Sequence, residues 1–239
     1  MKYMNIFKKF TRFELMLWLV SLFTITVFYV FARQRDPYIL IGSLIGITAL
    51  IFVAKGNVIG QMLTVVFILF YAMISYKFHY YGEMITYLGM TAPIALLSTI
   101  SWLRNPYEKG KSEVKIANLS KSKITLLAGL TFVVTFIFYF ILKYYETTNL
   151  IVSTVSIATS FVASFLMFFR SPYYATAYAC NDVVLIIMWI LATIENNSYL
   201  PMIMCFVIFF INDIYGFVNW KRMKKKQIYA QELESTVYV

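Results

Sequence analysis

The chain has 239 residues, 61% of them hydrophobic and only 13% charged, with 21 Lys and Arg against 11 Asp and Glu. Mean hydropathy is +0.72. Soluble domains carry about one quarter charged residues, so these values exclude an ordinary soluble domain and point to a polytopic membrane protein. The positive surplus does not indicate a nucleic-acid partner. It sits in short blocks between apolar runs, where membrane topology accounts for it. Cys180 and Cys205 both lie in apolar runs and are expected to be buried thiols outside any disulfide framework.

A helix that crosses a bilayer needs roughly 17–25 residues, mostly apolar. Eight segments qualify: 15–32, 38–55, 58–76, 82–103, 125–143, 149–169, 176–194 and 199–220. The first follows a basic stretch but ends in "RQRDP" without a small-residue cleavage site, so a retained helix is expected rather than a signal peptide. The second and third form one apolar block. As a single helix it would reach about 58 Å, almost twice a hydrocarbon core of about 30 Å. A break is therefore expected at "KGN", residues 55–57. His79, the lone histidine, falls in "YKFHYYGE" and reads as an interfacial residue among aromatic anchors. The loop 104–123 is basic; within it "NPYEKGK" reads as a turn and "SEVKIANLSKSK" is expected to lie along the membrane surface against anionic lipid. Phe132, Phe136 and Phe140 read as lipid-facing or packing residues. The end "QIYAQELESTVYV" is expected to be mobile.

With eight helices, both termini share a face with the loops after helices 2, 4 and 6. That face carries seventeen of the 21 basic residues and the other face four. The positive-inside rule then puts both ends in the cytoplasm. Seven helices would separate "KKFTR" from "KRMKKK" and spoil the bias.

An internal repeat is visible. "MITYLGMTAPIALLSTISW" (84–102) and "MIMCFVIFFINDIYGFVNW" (202–220) align at a constant offset of 118, from Met84 on Met202 to Trp102 on Trp220. "GQMLTVVFILFYAMI" matches "CNDVVLIIMWILATI" upstream in length and character. Helices 2–4 and 6–8 thus read as two parallel copies of a three-helix unit, joined by helix 5. The expected fold is all-α integral membrane, a 3+1+3 parallel repeat preceded by one extra helix. Its parts are 1–37 (N-terminal segment and helix 1), 38–103 (first bundle), 104–148 (basic loop and helix 5), 149–222 (second bundle) and 223–239 (cytoplasmic tail).

No catalytic set, Walker loop or dinucleotide fingerprint is present in the sequence. Polar residues inside the helices carry the information, because burying them is costly without partners or water. Asn181 and Asp182 on helix 7 and Asp213 with Asn212 on helix 8 are the sharpest group. Each aspartate lies roughly 9–10 Å from the inner boundary, so antiparallel neighbours would bring them to one level. Asn212, Tyr215 and Asn219 share one face of helix 8, and Asp213, Gly216 and Trp220 share the next. Mutual pairing as interhelical glue is the plain reading of the aspartates. For Asn212 and Tyr215, pathway lining is preferred. Trp189, seven residues after Asp182, suits stacking on a flat heteroaromatic ring. In the first copy Asn57, Gln61, Thr64, Tyr71 and Thr91 offer hydrogen bonds.

On "YYGEMITYLGMTAPIALLSTISWLRNP" and "NDVVLIIMW…NDIYGFVNW", the sequence resembles the PnuC family of bacterial vitamin transporters over about residues 38–222. The resemblance implies an architecture similar to a full-length SWEET-class sugar transporter. It implies facilitated diffusion of an uncharged or weakly charged nucleoside-like vitamin, nicotinamide riboside foremost, with trapping by a cytoplasmic kinase and no cofactor. It implies a homotrimer in the bacterial inner membrane and a site lined by Trp and Asn of the later helices, which falls on Trp189, Asn212 and Tyr215. One departure is clear. Many members read "LPMQFIGWFTW" where this chain has "APIALLSTISW", so the family's Gln and extra Trp fall at Ala95 and Thr99. Relatives that move thiamine, riboflavin or deoxynucleosides keep substrate choice open. Two readings from other classes stand beside this one: an integral-membrane metal-dependent enzyme using Asp182 and Asp213, and a vitamin-binding subunit of an energised transporter.

Overall fold

The computed structural model describes residues 10–32, 35–77, 80–108, 112–195 and 200–237. His79 lies outside them. Among the described residues, eight helices are long and apolar enough to cross a membrane: α1 Arg12–Phe31, α2 Pro37–Ala54, α3 Val58–Lys77, α4 Tyr81–Arg104, α5 Lys121–Tyr144, α6 Leu150–Phe168, α7 Tyr174–Glu195 and α8 Leu200–Val237.

The helix starts follow from local chemistry. Thr11 and Glu14 close a reciprocal capping box on α1. Asp36 caps α2 with Pro37 behind it, and Ser120 caps α5. The ends of α2 and α6 share one turn. Gly56 donates to Val53 O and Asn57 to Phe52 O; Arg170 donates to Met167 O and Ser171 to Leu166 O. Both are Schellman turns, with Gly56 at φ +62° and Arg170 at φ +57°. The break expected at residues 55–57 is the first of them. Within α4, Tyr87–Thr91 forms a π turn just ahead of Pro93.

The sequence reading needs three corrections here. The stretch after Trp220 is not a loose tail, because α8 continues to Val237. Apolar length ends at the lysines, but Lys, Gln, Glu and Ala are all good helix formers. The loop after α4 does not simply lie on the membrane surface. Val114 is buried, its N–H donates to Gly56 O, and the Ala117 N–H donates to Arg170 O. Gln227 of α8 fixes the same loop, accepting from the Ile116 N–H and donating to Val114 O. Finally, Cys180 is exposed, while Cys205 is buried as expected.

α2, α3 and α4 pack as one group and α6, α7 and α8 as another; the groups meet through α2 with α8 and α4 with α6. α5 lies outside against α6, with Phe132, Phe136 and Phe140 all more than half exposed. α1 docks on α2 and α8, where buried Glu14 bonds Lys55 at 2.7–2.8 Å. Lipid is as apolar as leucine, so helix contacts here depend on close packing and polar bonds. At Gly216 a Cβ would stand 3.1 Å from the Tyr174 hydroxyl.

The polar bonds between the groups are reciprocal. Trp102 Nε1 donates to Met167 O and Ser101 Oγ to Phe168 O. Trp220 Nε1 donates to Val53 O and Asn219 Nδ2 to Ala54 O. The donors differ by 118 positions and the acceptors by 114. Each group's last helix therefore grips the end of the other group's first helix. The two indoles meet between them, with centroids 5.4 Å apart.

Candidate substrate site

α7 and α8 run antiparallel, and this places Asp182 and Asp213 side by side. Their carboxyl groups lie within hydrogen-bond reach of each other. Both residues are buried, and Asp182 Oδ2 has no donor among the described residues. Like charges repel strongly in a low-dielectric interior, so such a pair favours a ligand that brings hydrogen-bond donors or positive charge.

The pair opens into a cavity of about 60 Å³ between the two helix groups. All six of their helices contribute. The polar lining is Thr64, Tyr87, Thr91, Ser160, Tyr178, Asn181, Asp182 and Asp213; Phe67, Phe206, Phe209 and Leu185 are among the apolar walls. Sites for drug-sized ligands run about 300–1,000 Å³, so this is a narrow state that must widen to admit a nucleoside. Asn181 is fixed by α6, its Oδ1 accepting from Thr159 and Ser160 at 2.8 and 2.9 Å. The Tyr178 hydroxyl pairs with Ser164 at 3.1 Å.

Two aromatic layers close the cavity. Trp189 and Trp220 each follow their aspartate by seven residues, about 10 Å along antiparallel helices and therefore in opposite directions. Toward the basic loops, Trp102 and Trp220 sit behind Val53 and Met167. Toward the other face, Trp189 Nε1 donates to the Tyr71 hydroxyl at 3.3 Å. Tyr71 packs on Tyr87 and Phe206, and Trp189 packs on Tyr80.

The structure thus sorts the expected site residues. Asn181, Asp182, Asp213, Thr64 and Thr91 line the cavity. Trp189 and Tyr71 form its lid rather than its wall. Asn212 and Tyr215 face α1 instead of the pathway. Asn212 Nδ2 bonds Ser21 Oγ and Ile208 O, and the Tyr215 hydroxyl donates to Glu14 at 2.8 Å. One residue along a helix turns a side chain by about 100°, which separates Asn212 from Asp213. Asn57 caps its own turn through the Ile59 N–H, and Gln61 is buried away from the cavity. Tyr87, Tyr178, Ser160 and the three phenylalanines were not anticipated. Tyr178 stands four residues, one turn, ahead of Asp182, so the helical periodicity that puts Trp189 on that face two turns on puts Tyr178 there as well. Tyr87 carries no sequence signal and is the first residue of the π turn.

A family model described as "Nicotinamide mononucleotide transporter" matches residues 36–222, well over half of the chain. The chain belongs to that family. The curated nicotinamide riboside transporter PnuC of Neisseria mucosa (strain ATCC 25996 / DSM 4631 / NCTC 10774 / M26) is 26% identical over 228 residues, 93% of this chain and 86% of that protein. A crystal structure of the vitamin B3 transporter PnuC superposes with a TM-score of 0.79 at 25% identity, covering 91% of this chain and 94% of that one. The family is one of transporters, so the protein is a multi-pass membrane transporter and not an enzyme. That sets aside the metal-enzyme reading. Among the described residues, no group of three or more His, Cys, Asp and Glu could hold a metal ion.

Proposed function

We propose that this transporter carries nicotinamide riboside by facilitated diffusion between its two three-helix groups. The observation that carries the reading is the facing pair Asp182 and Asp213 in an aromatic cavity. Nicotinamide riboside is an N-ribosyl pyridinium and bears a fixed positive charge, which corrects the expectation of an uncharged or weakly charged cargo. Buried carboxyls balance such a charge, and the rings of Tyr87, Tyr178 and Phe206 offer cation–π faces. Ribose hydroxyls have Asn181, Thr64 and Thr91 as partners. A curated relative bearing the name of that substrate supports the choice.

The aspartate pair also ranks the alternatives. Thiamine carries a thiazolium charge and remains the second reading. Riboflavin and deoxynucleosides are neutral and use the pair less well. The reciprocal bonds at offsets of 118 and 114 support a SWEET-like repeat, with bundles at 38–103 and 149–222, the linking part at 104–148 and the extra helix in 1–37. The basic bias supports cytoplasmic termini in a bacterial inner membrane. Homotrimer assembly and trapping by a cytoplasmic kinase follow from the family resemblance.

Uptake into protein-loaded liposomes tests the reading. Saturable entry of labelled nicotinamide riboside without ATP or an ion gradient is expected, with thiamine slower and thymidine slowest. Entry of thymidine faster than either cation sinks the charge argument. A strict requirement for an ion gradient sinks facilitated diffusion.

A further inference from the structure

A second cavity, of about 290 Å³, opens on the face marked by the basic loops. Three segments build it. Lys115 and Asn118 come from the α4–α5 loop, Arg170 from the turn after α6, and Lys224 and Gln227 from α8 beyond Trp220. Among the described residues, the lining holds three cationic side chains and no carboxylate. The carboxylate next in sequence, Glu113, is half-buried and is held by Gln227, whose Nε2 donates to it at 2.9 Å.

Arg170 is the unusual member. Its Nε and Nη1 are buried and have no acceptor among the described residues. Burial pushes the guanidinium down from its usual range, since desolvation disfavours the charged form. Buried donors on a charged group are normally satisfied. Arg170 also holds φ +57° at the turn where the other helix group places Gly56. A bulky residue there is uncommon and points to a role for its side chain.

We propose that this cavity binds a phosphate group, with the Arg170 guanidinium as a two-pronged donor and Lys115 and Lys224 closing around the charge. A planar fork presents paired N–H groups to phosphate oxygens, and lysines add point charges. The phosphate can come from a soluble phosphorylated metabolite on that side or from an anionic phospholipid headgroup. Once bound, it ties the loop, the turn and α8 together, and α8 also carries Asp213.

The purified full chain distinguishes the sources. Its thermal unfolding midpoint is read in detergent with inorganic phosphate or pyrophosphate against chloride at matched ionic strength. It is read again in phosphatidylcholine nanodiscs with and without phosphatidylglycerol. A saturable rise with either phosphate supports a soluble ligand, and a rise with phosphatidylglycerol alone supports the lipid. Arg170→Gln and Lys224→Gln should each weaken the apparent affinity about tenfold or more, the loss of one charge-assisted contact. Lys224 is half-buried on α8, so its variant carries the test if Arg170→Gln does not fold. No rise in any condition, or variants that respond like the wild type, overturns the proposal.

Discussion

The two ends of the central cavity are closed by similar rings held in different ways. Toward the basic loops, Trp102 and Trp220 each donate to a main-chain carbonyl of the opposite helix group. At the other end, Trp189 donates to a tyrosine hydroxyl, side chain to side chain. A carbonyl at a helix end moves only with its helix, whereas a tyrosine oxygen can move with its side chain alone. Side-chain rearrangement breaks the Trp189–Tyr71 bond, while breaking the Trp102 and Trp220 bonds requires the helix groups to part. The same aromatic chemistry yields a closure anchored on the main chain and one anchored on a side chain, depending on what accepts the hydrogen bond.

Neutralising what both closures enclose is expected to have the largest effect. Asp213→Asn keeps the shape and should lower initial nicotinamide riboside uptake about tenfold or more, about 1.4 kcal/mol per decade. A rate within twofold of wild type removes the aspartate from the site. Next, Val114→Pro deletes the donor to Gly56 O, and thermal unfolding should show a loss of about 1–3 kcal/mol. Unchanged stability would mean that the loop does not fasten the basic face. Trp220→Phe should destabilise by about 1–2 kcal/mol and Trp189→Phe by about 0.5–1.5 kcal/mol. The second should alter uptake more than the first, and the reverse order breaks the contrast between the ends. Smallest of all, Asn212→Ala and Tyr215→Phe should leave substrate affinity within about twofold, because both bond α1. Isothermal titration checks this, and a strong loss returns them to the pathway.

The helices were readable because crossing a bilayer demands long apolar runs, and only α8 outran its hydropathy. The alignment that places Trp102 on Trp220 came from the sequence, and the paired bonds of those residues agree with it. The aspartates were found because a carboxyl inside an apolar run is expensive wherever it points. Direction was the harder problem. Asn212 and Asp213 are neighbours in sequence with different surroundings, and the choice depended on α1, whose Glu14 and Ser21 supply the partners. Tyr87 and the buried loop around Val114 depend on a π turn and on main-chain bonds between distant segments, which no local pattern encodes.

The stretch from Val114 to Ala117 gives the molecule a spine. Through Val114 and Ala117 it hydrogen-bonds to Gly56 on one half and Arg170 on the other. Halves bound along one edge separate most readily at the opposite edge, like covers of a book. Opening the opposite edge has to break the Trp189–Tyr71 hydrogen bond and its aromatic contacts, whereas opening the bound edge also strains main-chain bonds. Passage through the bound edge should therefore set the pace of the transport cycle in both directions.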